Sequence, residues 1–359
     1  MAVCFVSNQP IADRWTGAQC QCISPAASPC QRSEKSISIG LVNNMSDGAL
    51  AATERQFFSL LSSASEGIHV CLSLFSLPDI PRSEAGKRYV QSFYSSTEEL
   101  PNTRLDALII TGREPLAPAL TDEPYWDSFT GVLDWARENT FSTVCSCLAA
   151  HAALLHRDGI GRVRSQTKHF GVFECERATE HPLTFGGPSR FNLPHSRWNG
   201  ISEEALTSCG YSVLTRSADA GVDTFVKQDK SLLVCYQGHP EYQADTLLLE
   251  YRRDVDRFLK GESASYPRLP RSYFNEETAK ELAMLQEEAP SSQPQDLLAR
   301  VTAALRKTKI EDTWHSAATN LYRNWLEYIC AQKQVRLKSG PVYYERLQSA
   351  ASLPQSVSS

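Results

Sequence analysis

The chain has 359 residues, 42% of them hydrophobic and 21% charged, with a net charge of −5. That length can bury at least one full core, and the default class is a soluble α/β enzyme of one large domain with extensions. The acidic balance, with no Lys/Arg block, counts against nucleic acid as a partner, and no window approaches the roughly 18 to 20 uninterrupted apolar residues of a membrane span.

The N-terminus, "MAVCFVSNQPIADRW", has no basic region followed by an apolar stretch and a cleavage site, so it does not read as a secretory signal. The 11 cysteines are odd in number and read as thiols in a reducing cytoplasm. Residues 1–35 are rich in Ser, Pro, Gln and Cys without periodicity, which predicts a poorly ordered leader. Cys20, Cys22 and Cys30 within it lack a zinc-ligand spacing and a nearby histidine.

From Ser36 the pattern changes. "SISIGLVNNM" predicts a strand, "AATERQFFSLLSSA" a helix, "IHVCLSLFSL" a strand and "LDALIITG" a buried strand ending in a glycine turn. "YWDSFTGVLDWARENT" predicts an amphipathic helix, "FSTVCSC" a strand and "LAAHAALLHRDG" a helix closed by Gly159. Such alternation implies parallel βαβ units in a doubly wound sheet. Residues 168–236 hold short β-type runs, as in an antiparallel extension feeding a last strand, "SLLVCYQ". The helix "QADTLLLEYRRDVDRFLKG" follows. After a polar, Pro-rich stretch come two further helices, "PQDLLARVTAALRKTK" and "TWHSAATNLYRNWLEYICAQK", and a Ser-rich tail. The organisation read from these shifts is a leader (1–35), a catalytic domain (36–261), a helical extension (262–347) and a disordered tail (348–359).

In open parallel sheets, functional groups collect at the carboxyl ends of strands. Cys147 closes a strand and opens a helix, where unpaired N–H groups favour a thiolate and can hold an oxyanion. Cys145, two residues earlier on the same strand, reads as core. A cysteine alone is most often packing. A base is needed, and "GHPEY" supplies His239 with Glu241 two residues on, after the last strand. His151 lies one turn into the helix after Cys147, His156, His169 and His181 lack an acidic partner at a strand end, and all four read as structural.

The segments "IGLVNNM", "TERQF", "ALIITG", "STVCSCLAAHAAL", "KHFGVFE", "LPHSRW" and "GHPEYQADTLLLEYRRD" resemble, in order and spacing, the homoserine O-acyltransferase family, the homoserine acetyl- and succinyltransferases of methionine biosynthesis. The resemblance covers Ser36 to Gly261. It implies a flavodoxin-like, class I glutamine-amidotransferase-like fold and a ping-pong acyl transfer from acetyl-CoA or succinyl-CoA to L-homoserine, with no metal or redox cofactor. Cys147 matches the acyl-thioester cysteine, His239 the base and Glu241 the third member. Lys168, Ser196 and Arg253 match substrate-contacting positions, and N–H groups near Leu148 and the Gly112 turn would hold the oxyanion. A cytoplasmic homodimer is implied as well.

Two departures stand out. "NNMSDGALAATERQ" has Ser46 where the family has proline and lacks the lysine that follows. In "TGREPLAP", Leu116 occupies the position that tracks acyl preference; its bulk gives a slight lean to acetyl, whereas Arg113 offers a partner for a succinyl carboxylate. L-Serine as acceptor stays open, since one methylene discriminates by only about 1–3 kcal/mol. A glutamine amidotransferase would usually flank its cysteine with glycines, where Ser146 and Leu148 stand here. A non-catalytic flavodoxin-like binding protein is the other alternative, and retention of Cys147, His239 and Glu241 together argues against it.

Overall fold

The structure is a computed structural model; it describes residues 3–6, the backbone of 21–23, and residues 35–290 and 292–338. In chain order the elements are β1 (Val3–Val6), β2 (Gln21–Ile23), β3 (Ser36–Val42), α1 (Leu50–Ala64), β4 (His69–Ser76), α2 (Glu84–Phe93), β5 (Ser95–Ser96), β6 (Ala107–Ile110) and α3 (Trp126–Asn139). They continue with β7 (Ser142–Ser146), α4 (Leu148–Asp158), β8 (Val163–Arg177), β9 (Arg190–Gly200), α5 (Glu203–Ser208), β10 (Ser212–Ser217), β11 (Gly221–Gln228) and β12 (Leu232–Tyr236). Four helices finish the described chain: α6 (Thr246–Leu259), α7 (Glu276–Glu288), α8 (Pro294–Lys307) and α9 (His315–Lys338).

The main sheet runs β2-β1-β4-β3-β6-β7-β12-β11-β10-β8-β9, with β5 beside β4. Strands β2 through β12 in that order pair in parallel, and β12-β11-β10-β8-β9 pair antiparallel. The core order β4-β3-β6-β7-β12 is the flavodoxin-like order 2-1-3-4-5. The doubly wound sheet with an antiparallel extension is therefore present.

The uninterrupted apolar runs of β6 and β12 reflect burial on both faces. On one face, Ile37, Ile39, Leu41 and Val144 pack with Phe57 and Leu61 of α1 and Tyr322, Trp325 and Ile329 of α9. On the other, Leu108, Ile110, Cys145 and Cys235 pack with Phe129 and Leu133 of α3 and Ala149 and Ala153 of α4. Cys145 is fully buried, as read from the sequence. A third cluster joins Phe170, Val172 and Leu193 of the β8–β9 pair to Tyr251 of α6, Leu282 of α7 and Val301 of α8.

The structure adds elements that the sequence pattern did not give. β1 and β2 lie within residues 1–35, and Val3 and Phe5 are buried. Cys20 and Cys30 lie outside the described residues. α2 has Gly86 as its one fully buried residue, and its apolar face of Tyr89, Val90 and Phe93 was not read from the sequence. α7 has an Asn275 cap on the Thr278 N–H and buries Thr278, Leu282 and Leu285 among glutamates. The thiol reading fails at Cys71, which is disulfide-bonded; Cys4, paired with it across β1 and β4, carries no disulfide and has its Sγ 3.6 Å from Cys71 Sγ. No described helix is long and apolar enough to cross a membrane.

Candidate active site

Three strand ends converge on one point. β7 ends at Ser146, α4 begins at Leu148, and Cys147 between them turns the chain with φ 51° and ψ −111°. Only one other non-glycine residue among the described ones, Ser272, has positive φ. Such a conformation costs about 1–3 kcal/mol and persists when its surroundings hold it. Here they do: the Cys147 N–H donates to Tyr236 O at 2.8 Å, and the Ala150 N–H donates to Cys147 O at 3.0 Å. The turn lifts the side chain out of the strand, as in a nucleophile elbow.

β6 supplies the neighbouring turn. A Cβ on Gly112 would lie 2.7 Å from Leu148 N and 2.8 Å from Leu148 Cβ, so only glycine permits this approach. The Gly112 N–H, expected at the oxyanion, is instead spent on Ser146 O at 3.1 Å. Leu148 and Ala149, in the first turn of α4, have N–H groups without intrahelical acceptors. Those groups, with the helix dipole, are the oxyanion donors the fold offers.

β12 leads into the candidate base. His239 Nδ1 and Glu241 Oε1 are 2.8 Å apart, and Glu241 Oε1 also accepts from Ser146 Oγ at 3.2 Å. Burial opposes charge on His239, but the Glu241 carboxylate and the Cys147 sulfur outweigh it and hold its proton affinity well above that of an ordinary histidine. With Nδ1 engaged by Glu241, Nε2 is left for the sulfur. Tyr242 stacks on the imidazole at 4.2 Å between centroids.

The three substrate positions read from the resemblance fall into one connected patch. Ser196 Oγ donates to Glu250 Oε2 and Tyr242 Oη to Glu250 Oε1, both at 2.5 Å. Lys168 and Arg253 both pair with Asp254, at 3.1 and 2.8 Å, and Glu250 adds to the field that stabilises the Arg253 charge. Leu116 is 52% exposed; its N–H, with that of Ala117, donates to Glu123 Oε1.

Sequence reasoning missed four contributors. Glu250 and Tyr242 were readable in principle: Glu250 precedes Arg253 by three residues on one helix face, and Tyr242 ends "GHPEY". Asp223 and His195, both fully buried, were not singled out. Asp223 Oδ1 accepts the Gly238 N–H at 3.0 Å, its other oxygen accepts from Thr215 and Thr224, and His195 Nε2 lies 3.4 Å away. The His239 N–H donates to Pro194 O at 2.8 Å. This network fixes the backbone on both sides of the base. Cys175 adjoins His195 and Asp223, giving three ligand types within 4.8 Å. Burial holds the Cys175 thiol and the His195 imidazole neutral, and Asp223 is committed to hydrogen bonds, which suits a structural support better than a cation. His151 is likewise buried, its pKa pushed down to about 3 by burial and by Arg197.

Fold and site together define a class: doubly wound, flavodoxin-like α/β proteins with cysteine, histidine and glutamate beyond the strand ends. The family model for homoserine O-succinyltransferase matches residues 6–336. The homoserine O-succinyltransferase of Rhodopseudomonas palustris is 46% identical over 306 residues, covering 85% of this chain and 91% of that protein. That of Methylorubrum extorquens is 43% identical over 296 residues, covering 82% and 88%. Among solved structures, a glutamine amido transferase from Methylobacillus flagellatus is similar with a TM-score of 0.46 and 15% identity, over 82% of this chain and 96% of that one. The chain belongs to the homoserine O-succinyltransferase family.

Proposed function

We propose that this protein moves a succinyl group from succinyl-CoA to the side-chain hydroxyl of L-homoserine through an acyl-cysteine on Cys147. The observation that carries the reading is Cys147 on its strained turn beside a histidine held by Glu241. The Cys147 thiolate attacks the thioester carbonyl, the Leu148 and Ala149 N–H groups stabilise the oxyanion, and the C–S bond to CoA breaks. Protonated His239 gives its proton to the leaving thiolate. Neutral His239 then takes the homoserine hydroxyl proton as that oxygen attacks the acyl-cysteine, and Cys147 leaves as thiolate.

The acceptor patch suits an amino acid. Arg253 can fork the α-carboxylate and Glu250 can hold the α-ammonium, with Ser196 and Lys168 alongside. For the donor, the slight lean to acetyl is dropped. Relatives at 38–46% identity carry the succinyl name, and the half-exposed Leu116 does not line the cavity beside Leu148, so its bulk does not narrow it.

The test is intact mass after incubation with succinyl-CoA alone. A succinyl adduct is expected on the wild type, and none on Cys147→Ala; an adduct on both, or on neither, overturns the reading. Adding L-homoserine should discharge the adduct faster than adding L-serine.

A further inference from the structure

A small cavity lies one residue from Cys147, between Leu148 and Ala149 of α4, Gly112 and Arg113 of the β6 turn, and Tyr125 and Phe129 at the start of α3. We propose that this cavity is the acyl subsite and that Arg113 receives the distal carboxylate of the succinyl group. The proposal rests on the succinyl reading above and names the residue that would enforce it.

Four observations converge. First, Arg113 reaches the cavity with a buried Nη1 that has no hydrogen-bond partner, its guanidinium lying 5.7 Å from the Tyr125 ring centroid. Second, Glu123, which also lines the cavity, turns Oε1 to the Leu116 and Ala117 N–H groups at 2.8 and 3.0 Å and leaves Oε2 buried without a partner, so that it holds the loop and does not bond Arg113. Third, Arg162 donates to Pro118 O at 3.0 Å and also leaves a buried Nη1 unpartnered. Arg113, Arg162 and Glu123 all lie close enough to act on Tyr125, two guanidinium groups beside one carboxylate. Fourth, the walls next to Leu148 and Ala149 are apolar (Leu120, Phe129 and Ala152), the character that the methylene pair between thioester and carboxylate calls for.

The discrimination follows from hydrogen-bond accounting. A succinyl carboxylate satisfies the Arg113 fork, while an acetyl group leaves it desolvated and unpaired. A site built to bond a polar group rejects the analogue that lacks it more strongly than an apolar pocket rejects a missing methylene.

The experiment measures CoA release during acylation, without acceptor, for succinyl-, butyryl- and acetyl-CoA. Butyryl matches the succinyl chain length without the carboxylate. Wild type is expected to favour succinyl- over butyryl-CoA by about 10- to 100-fold in kcat/KM. Arg113→Met should erase that preference while changing acetyl-CoA turnover less than about threefold, and Arg113→Lys should keep part of it. Equal use of succinyl- and butyryl-CoA by the wild type overturns the Arg113 subsite, as does an Arg113→Met enzyme that keeps its preference or loses acetyl turnover equally. A wild type acylated fastest by acetyl-CoA overturns the succinyl reading itself.

Discussion

His239 is a buried imidazole whose charge is opposed by burial and upheld by Glu241 and Cys147, with a net upward direction. A group held protonated in this way keeps its function below its raised pKa and loses it as pH climbs through that value. Glu241→Gln keeps the shape and removes the charge, so burial should prevail and the imidazole should lose its proton at lower pH. The expected outcome is an alkaline limb of the acylation rate displaced to lower pH, with kcat/KM reduced by roughly 10- to 1000-fold at neutrality. An unchanged alkaline limb would show that Glu241 does not set the histidine's charge. At this scale Cys147, His239 and Glu241 were legible in the sequence because each is a reactive type at a strand end. Asp223 was not, since a carboxylate inside a β-type run carries no mark of the N–H group it will accept from fifteen residues later.

At the scale of elements, the β7–Cys147–α4 turn and the β6 turn form one unit. Leu148 follows the nucleophile directly, and Gly112 across the gap leaves the space that it takes. A methyl there meets Leu148 N at 2.7 Å and displaces the first free N–H of α4. Gly112→Ala is therefore expected to lower the acylation rate about 100- to 1000-fold, the scale of losing one oxyanion donor. Its CoA-release rate, compared with its unfolding midpoint, separates this local effect from a general loss of structure; a fully active variant would refute the role given to the Leu148 N–H. The parallel strands and their long helices were legible from periodicity. α2 was missed although Tyr89, Val90 and Phe93 share one face, and α7 was hidden because its three buried positions sit among acids.

At the scale of the molecule, the last described helix belongs to the central core. Trp325 of α9 is fully buried, donates from Nε1 to Ser142 Oγ at 2.9 Å and packs edge-on to Tyr322, directly beneath the strand that carries Cys147. Trp325→Ala should cost about 3–5 kcal/mol, read as a lower urea midpoint, and should weaken acylation through β7. A midpoint unchanged from wild type would mean that α9 merely leans on the sheet. Sequence by itself determined the alternation of strands and helices and the buried parallel runs, and it singled out the three candidate residues, because periodicity and residue chemistry are local properties. Only the tertiary structure decided that residues 3–6 join the sheet, that α9 seals one face, that Glu250 joins Ser196 to Tyr242 and that the Gly112 N–H is already taken. Each of these depends on which distant segments meet, and contact between residues a hundred positions apart leaves no period in either stretch.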